Sequence, residues 1–146
     1  MKLTSLETKT GASKGAFLHL RHPALGHLLY TGEGADEVGR AVDKTKAEKV
    51  GCDVLGMESE RVREKAREIQ RRKMKDPDDA EAEEQGLEFV ASLVTGFHGL
   101  FDGDGKPLPA TPEGKRQFFE MSDDLVNQVM KFAGERANFW KGASTP

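Results

Sequence analysis

Leu87–Arg116 reads LEFVASLVTGFHGLFDGDGKPLPATPEGKR. Leu87, Val90, Val94, Phe97 and Phe101 recur three and four apart, the spacing that lines one face of a helix. Asp102-Gly103-Asp104-Gly105 then supplies tolerance of positive φ and side-chain-to-backbone hydrogen bonds, which stop a helix. Pro107 and Pro109 stiffen the chain beyond that turn. Thr111-Pro112-Glu113 reads as an N-cap, a first-turn proline and an acid favoured by the helix dipole. The expectation is helix, turn and helix restart, with no residue placed for chemistry.

Working outward, Ser122 is an N-cap with Asp123 and Asp124 in the first turn. Leu125, Val126, Val129, Met130, Ala133, Ala137 and Trp140 then form a stripe running almost to the end. Phe118, Phe119 and Met121 belong to the short helix before it, so the core is expected to be mostly carboxy-terminal. Towards the amino terminus, Met1–Gly15 is rich in Lys, Thr, Ser and Gly without a period and reads as a mobile arm. Phe17–His22 and His27–Thr31 read as a β-hairpin through Pro23-Ala24-Leu25-Gly26. Leu18, Leu20 and Leu29 then share one face, and Phe17, His19, Leu28 and Tyr30 the other. Asp36 is read as the cap of a helix from Glu37, with Val38, Ala41, Val42 and Thr45 inward and GCDVLG (residues 51–56) ending it. Ser59-Glu60 restarts a run to Lys75 with a thin stripe of Val62, Ala66, Ile69 and Met74.

Charge is strongly divided. Residues 61–75 hold eight bases and two acids, a net +6, whereas residues 76–88 hold seven acids and no base, a net −7. Asp76-Pro77-Asp78-Asp79 is the natural break, a proline followed by N-capping acids, and two antiparallel helices joined there pair opposite charges. Exposed pairs are worth about 0–1 kcal/mol each, so this fixes register more than stability.

The whole chain carries only −3, which implies no bulk attraction to nucleic acid or acidic lipid. The basic run wraps its helix and has no interleaved aromatics, which disfavours nucleic-acid binding. Cys52 is alone, so no intramolecular disulfide is possible, as suits a reducing cytoplasm. No stretch approaches the roughly 18 apolar residues of a membrane span, and the start lacks the apolar run of a signal peptide.

No enzyme reading emerges, and neither a metal nor a cofactor is expected. His22 and His27 face each other across the hairpin, but zinc wants more ligands than these two. His98 is read as a cation near a helix end. Asp102–Glu113 has the acid of a calcium loop at its twelfth position, but Pro107 where the loop needs Gly. Cys52 lacks an activating base. The basic helix reads first as a solvated face and second as a surface for a protein partner. The aromatics Phe97, Phe101, Phe139 and Trp140 near loop or chain ends read first as core; a partner, if one is met, is expected at these aromatics and at Arg63, Arg67 and Arg71.

A family resemblance runs through the same stretch. Val94-Thr95-Gly96-Phe97, Asp104-Gly105-Lys106-Pro107-Leu108-Pro109 and Thr111-Pro112-Glu113 resemble the middle of the tail assembly chaperones of long-tailed, siphovirus-type bacteriophages and prophages. Leu20-Arg21-His22-Pro23 and Gly32-Glu33-Gly34-Ala35-Asp36 resemble their amino-terminal strands and first helix. Gln128-Val129, Phe132 and Ala137-Asn138-Phe139 resemble their closing helix. The resemblance spans about Ala16 to Trp140.

The fold expected is α+β, mainly α: an N-terminal β-hairpin packed on about five helices, as a single domain over residues 16–142 behind the arm of residues 1–15. The resemblance implies a non-enzymatic chaperone that binds the tape-measure protein and recruits tail-tube subunits. It further implies a cytoplasmic location in the host bacterium, absence from the mature virion, and a longer frameshifted form. Self-association is compatible with it; nucleic acid and membrane are not expected partners. The other readings are a virion head–tail joining protein and a small DNA-binding regulator using residues 61–75.

Overall fold

The computed structural model of the chain describes residues 1–72 and 78–140. The fold is α+β and mainly α. Its helices are α1 (Lys9–Lys14), α2 (Glu60–Arg72), α3 (Asp79–Leu93), α4 (Pro112–Glu120) and α5 (Asp123–Gly134). The strands are β1 (Ala16–His19), β2 (Tyr30–Thr31), β3 (Glu48–Lys49), β4 (Gly51–Val54) and β5 (Val94–His98). An antiparallel sheet runs β1-β4-β5, and β2 pairs with β3 separately.

β4 is the middle strand. Cys52 and Val54 are fully buried, opposite Leu18 and Ala16 on one side and Phe97 and Val94 on the other. At Gly51 a Cβ would run into the Leu18 carbonyl oxygen and the Phe17 ring, so glycine alone fits there. The core is not mainly carboxy-terminal: Leu20, Val50, Cys52, Val54, Leu55 and Val62 join Val90, Leu93, Phe118, Phe119, Leu125 and Val129 in one cluster. Burying each large apolar side chain there stabilises the fold by about 1.5–3 kcal/mol.

The Pro23–Gly26 turn forms. His22 N–H donates to the His27 carbonyl, and an antiparallel bridge joins Arg21 and Leu28. The strands it joins find their ladders elsewhere, β1 on β4 and β2 on β3, because buried β4 offers Leu18 and Leu20 an apolar neighbour. Leu20 is buried and Leu18 and Leu29 pack on the core, while Phe17 is exposed and the His19 ring meets Tyr30 edge-on at 4.9 Å.

Several expectations fail for identifiable reasons. No helix starts at Glu37: the Asp36 carboxylate accepts from Val38 and Arg40 N–H, closing a side-chain turn that imitates a cap. GCDVLG is the central strand and its exit, not a helix end. The stripe from Leu87 is helical only to Leu93, and Val94–His98 is strand β5, since Val94 and Phe97 fill places beside β4. The Asp102–Gly105 turn therefore closes a hairpin, with Phe101 bridged to Pro107 and Asp102 accepting from Asp104 and Lys106 N–H. α5 ends at Gly134, followed by a 3-10 turn over Arg136–Phe139.

The first fifteen residues, read from sequence as a mobile arm, carry a 3-10 turn (Leu3–Leu6) and α1, whose Ala12 is buried against Gly56. In α2, Val62 and Ile69 are buried as expected, but Ala66 is exposed. Met74 and the Asp76-Pro77 break lie outside the described residues.

The caps match their sequence signals. Asp78, Thr111 and Ser122 accept from the backbone N–H of Glu81, Gly114 and Asp124 respectively.

Two glycine-to-alanine changes in helices test this packing with opposite signs. At Gly86, in α3, a Cβ meets nothing within 4 Å, so Gly86→Ala is expected to stabilise by about 0.5–1 kcal/mol through helix propensity. At Gly114, buried in the first turn of α4, a Cβ would strike the Pro109 carbonyl. Gly114→Ala is expected to cost about 1–3 kcal/mol despite the same propensity gain. Urea denaturation of both variants checks the signs.

Candidate functional site

Helices α2, α3 and α4 border a groove of about 900 Å³. Its floor is apolar, with Leu87, Ala91 and Pro112, and its walls are charged. The opposite charges of α2 and α3 meet as the sequence suggests. Glu88 accepts from Lys65 and from Arg72, each at 2.7 Å, and these two hydrogen bonds hold its carboxyl below the usual range. Arg67 bridges Glu60 at 2.6 Å and Glu64 at 2.9 Å, and Arg71 reaches Glu64 at 3.3 Å. Across the groove, Arg116 of α4 pairs with Glu84 of α3.

Two cations of the groove stand apart. Among the described residues, neither Arg61 nor Lys115 is ion-paired with a carboxylate, although both line the groove. Burial, together with the neighbouring Arg61 guanidinium, pulls the Lys115 pKa below the ordinary lysine value.

A second hollow, about 910 Å³, lies between the first residues, α1, β1 and the last described turn. Trp140 closes it, donating from Nε1 to the Ser5 carbonyl at 3.0 Å. Glu58 clips the two chain ends together by accepting from Thr8 Oγ1 at 2.7 Å and Arg136 Nε at 2.8 Å. These hydrogen bonds lower its pKa.

The residues expected to meet a partner divide. Phe101 is 55% and Trp140 44% exposed. Phe139 is buried, its ring 5.6 Å from Phe132, so it belongs to the core. Phe97 is half-buried on Phe118 at 4.9 Å. Arg67 and Arg71 share Glu64 on one side of α2 and are already matched, while Arg63 is half-buried. The structure thus unites the arginines on one helix but scatters the aromatics over other elements. Sequence reasoning missed Arg61 and Lys115 as a pair, because nothing in local spacing sets α4 across the groove from α2.

The titratable groups considered for chemistry are engaged locally. His22 Nδ1 accepts from Ala24 and Leu25 N–H, and His27 Nε2 donates to the Val38 carbonyl, with the two rings stacked at 5.3 Å. His98 is no helix-end cation. It lies on β5, 2.8 Å from the Asp53 carboxylate, with its ring against Phe17. Cys52 is buried, and desolvation pushes its thiol up to about 12. Among the described residues, no three His, Cys, Asp or Glu side chains gather around one point.

The sequence model of the YdaY prophage protein matches residues 53–145, well over half of the chain. The chain belongs to the YdaY prophage protein family. It is therefore of prophage origin. No curated protein matches, and neither does any solved structure. The YdaY match opens within β4 and takes in α2 to α5, including the whole groove and its charge pairs.

The Glu88 pairs make a pH-dependent contribution of known sign. A carboxylate whose pKa is depressed in the folded state stabilises fully above its unfolded value and loses that contribution as pH falls through the folded value. Glu88→Gln is expected to cost about 1 kcal/mol or less at pH 7. The difference from the unmodified protein should shrink as pH falls below 4.5, the ordinary glutamate value from which Glu88 is lowered. Paired denaturation curves at neutral and acid pH measure it.

Proposed function

We propose that this YdaY family protein is a non-enzymatic tail assembly chaperone, which binds the tape-measure protein and recruits tail-tube subunits while the tail is built. One observation carries the reading. The stretch that resembles tail assembly chaperones, from Val94 to Glu113, lies inside the prophage family match and folds as one continuous unit. That unit is β5, the Asp102–Gly105 hairpin turn and the Thr111-capped start of α4.

Physical features support a binding role. Paired charges along α2 and α3 keep the surface polar while leaving an apolar floor between helices, the arrangement that receives an amphipathic segment. Phe101, raised beside the hairpin turn, offers an aromatic anchor. The lone thiol is buried and stays protonated, which removes it as a nucleophile. Transient cover of long apolar helices by such a surface needs modest affinity, so that the chaperone leaves as the tube closes. The cytoplasm of the host is where that work is done.

Co-expression with the tape-measure protein of the same prophage tests the reading. Affinity capture followed by size-exclusion chromatography is expected to yield a soluble complex containing a tape-measure protein that is insoluble alone. Failure to keep it soluble or to co-elute with it would count against the chaperone role.

A further inference from the structure

We infer that the groove between α2, α3 and α4 is the partner-docking site, and that its occupant is an amphipathic helix presenting a carboxylate to Arg61 and Lys115. The inference rests on the chaperone reading for the source of that helix and adds to it the site and the chemistry of recognition.

Most charges around the groove are matched within the protein: Lys65 by Glu88, Arg67 by Glu60 and Glu64, and Arg116 by Glu84. Arg61 and Lys115 line the same groove from α2 and α4 and, among the described residues, have no matching acid. A lysine half-removed from water beside another cation is destabilised, and burial of its charged form is favourable only with a counter-charge. The lowered pKa of Lys115 reflects that frustration, its causes being burial first and Arg61 second. Glu113 also borders the groove, but it exerts no pull on Lys115 that offsets these two. A carboxylate set between the two cations would satisfy both.

The surroundings define the rest of the occupant. Leu87, Ala91 and Pro112 give the site an apolar floor, so the carboxylate has to arrive flanked by apolar side chains. A volume of about 900 Å³ takes several side chains along one helix face. A nucleic acid fits poorly, because among the described residues the groove offers a chain of phosphates only two unmatched cations and no aromatic side chain lines it for base stacking.

The test uses the full chain and the tape-measure protein as probe, comparing the unmodified protein with the double variant Arg61→Gln/Lys115→Gln. Removing two uncompensated cations is expected to leave the melting temperature unchanged or raised, whereas residues with a merely structural role would lower it. Capture of the tape-measure protein is expected to weaken by about tenfold or more, as for loss of a desolvated charge pair. A charge-matched control, Lys44→Gln/Lys131→Gln, alters exposed lysines outside the groove and should bind as the unmodified protein does. Equal binding by the groove variant would overturn this inference and leave the chaperone reading standing. Absence of binding by the unmodified protein would overturn that reading, and the assigned occupant with it. Self-association that the groove variant abolishes would give the groove to a second copy and also overturn the proposal.

Discussion

Seven residues, Gly51 to Met57, hold this fold together. Over Gly51–Val54 they form the strand between β1 and β5. Immediately afterwards, three consecutive backbone N–H groups reach three different helices. Leu55 donates to Leu93 at the end of α3, Gly56 to Ala12 in α1, and Met57 to Ala133 in α5. Buried backbone donors are costly to leave unpaired, so this short segment dictates where each of those helices can lie. Its small residues are part of the constraint, because Gly51 sits under Phe17 and Gly56 against Ala12 and Phe139.

Local signals are the legible part of the sequence. Asp78, Thr111 and Ser122 cap helices through bonds to N–H groups only two or three residues away, so the sequence neighbourhood contains the whole interaction. Long-range pairing is not legible. Val94 and Phe97 continue the helical spacing of Leu87 and Val90, yet they serve β5, because a place beside β4 outweighs the local period. GCDVLG is too short for periodicity to separate strand from helix. Asp36 shows a further ambiguity, since a carboxylate accepting from N–H groups two and four residues on looks in sequence like a helix cap.

The candidate site divides along the same line. Opposed charge blocks on either side of residue 76 imply that α2 and α3 pair, and Lys65, Arg72 and Glu88 do so. The place of α4 across them depends on Phe118 and Phe119 entering a core shared with β5, which no local pattern encodes. Once α4 is there, Arg116 finds Glu84, while Lys115 lines the groove with Arg61 and, among the described residues, neither is ion-paired with a carboxylate. Most of the charge around the groove is matched within the protein, as in the pairs Lys65–Glu88, Arg67–Glu60 and Arg116–Glu84.

A chaperone acts and departs, whereas a joining protein stays. Quantitative mass spectrometry of the induced prophage, comparing assembling lysate with purified mature particles, separates the two. A chaperone is expected in lysate fractions that contain unfinished tails and is lost from finished particles. A fixed number of copies per mature particle, comparable with a ring at the head–tail junction, would refute the chaperone role.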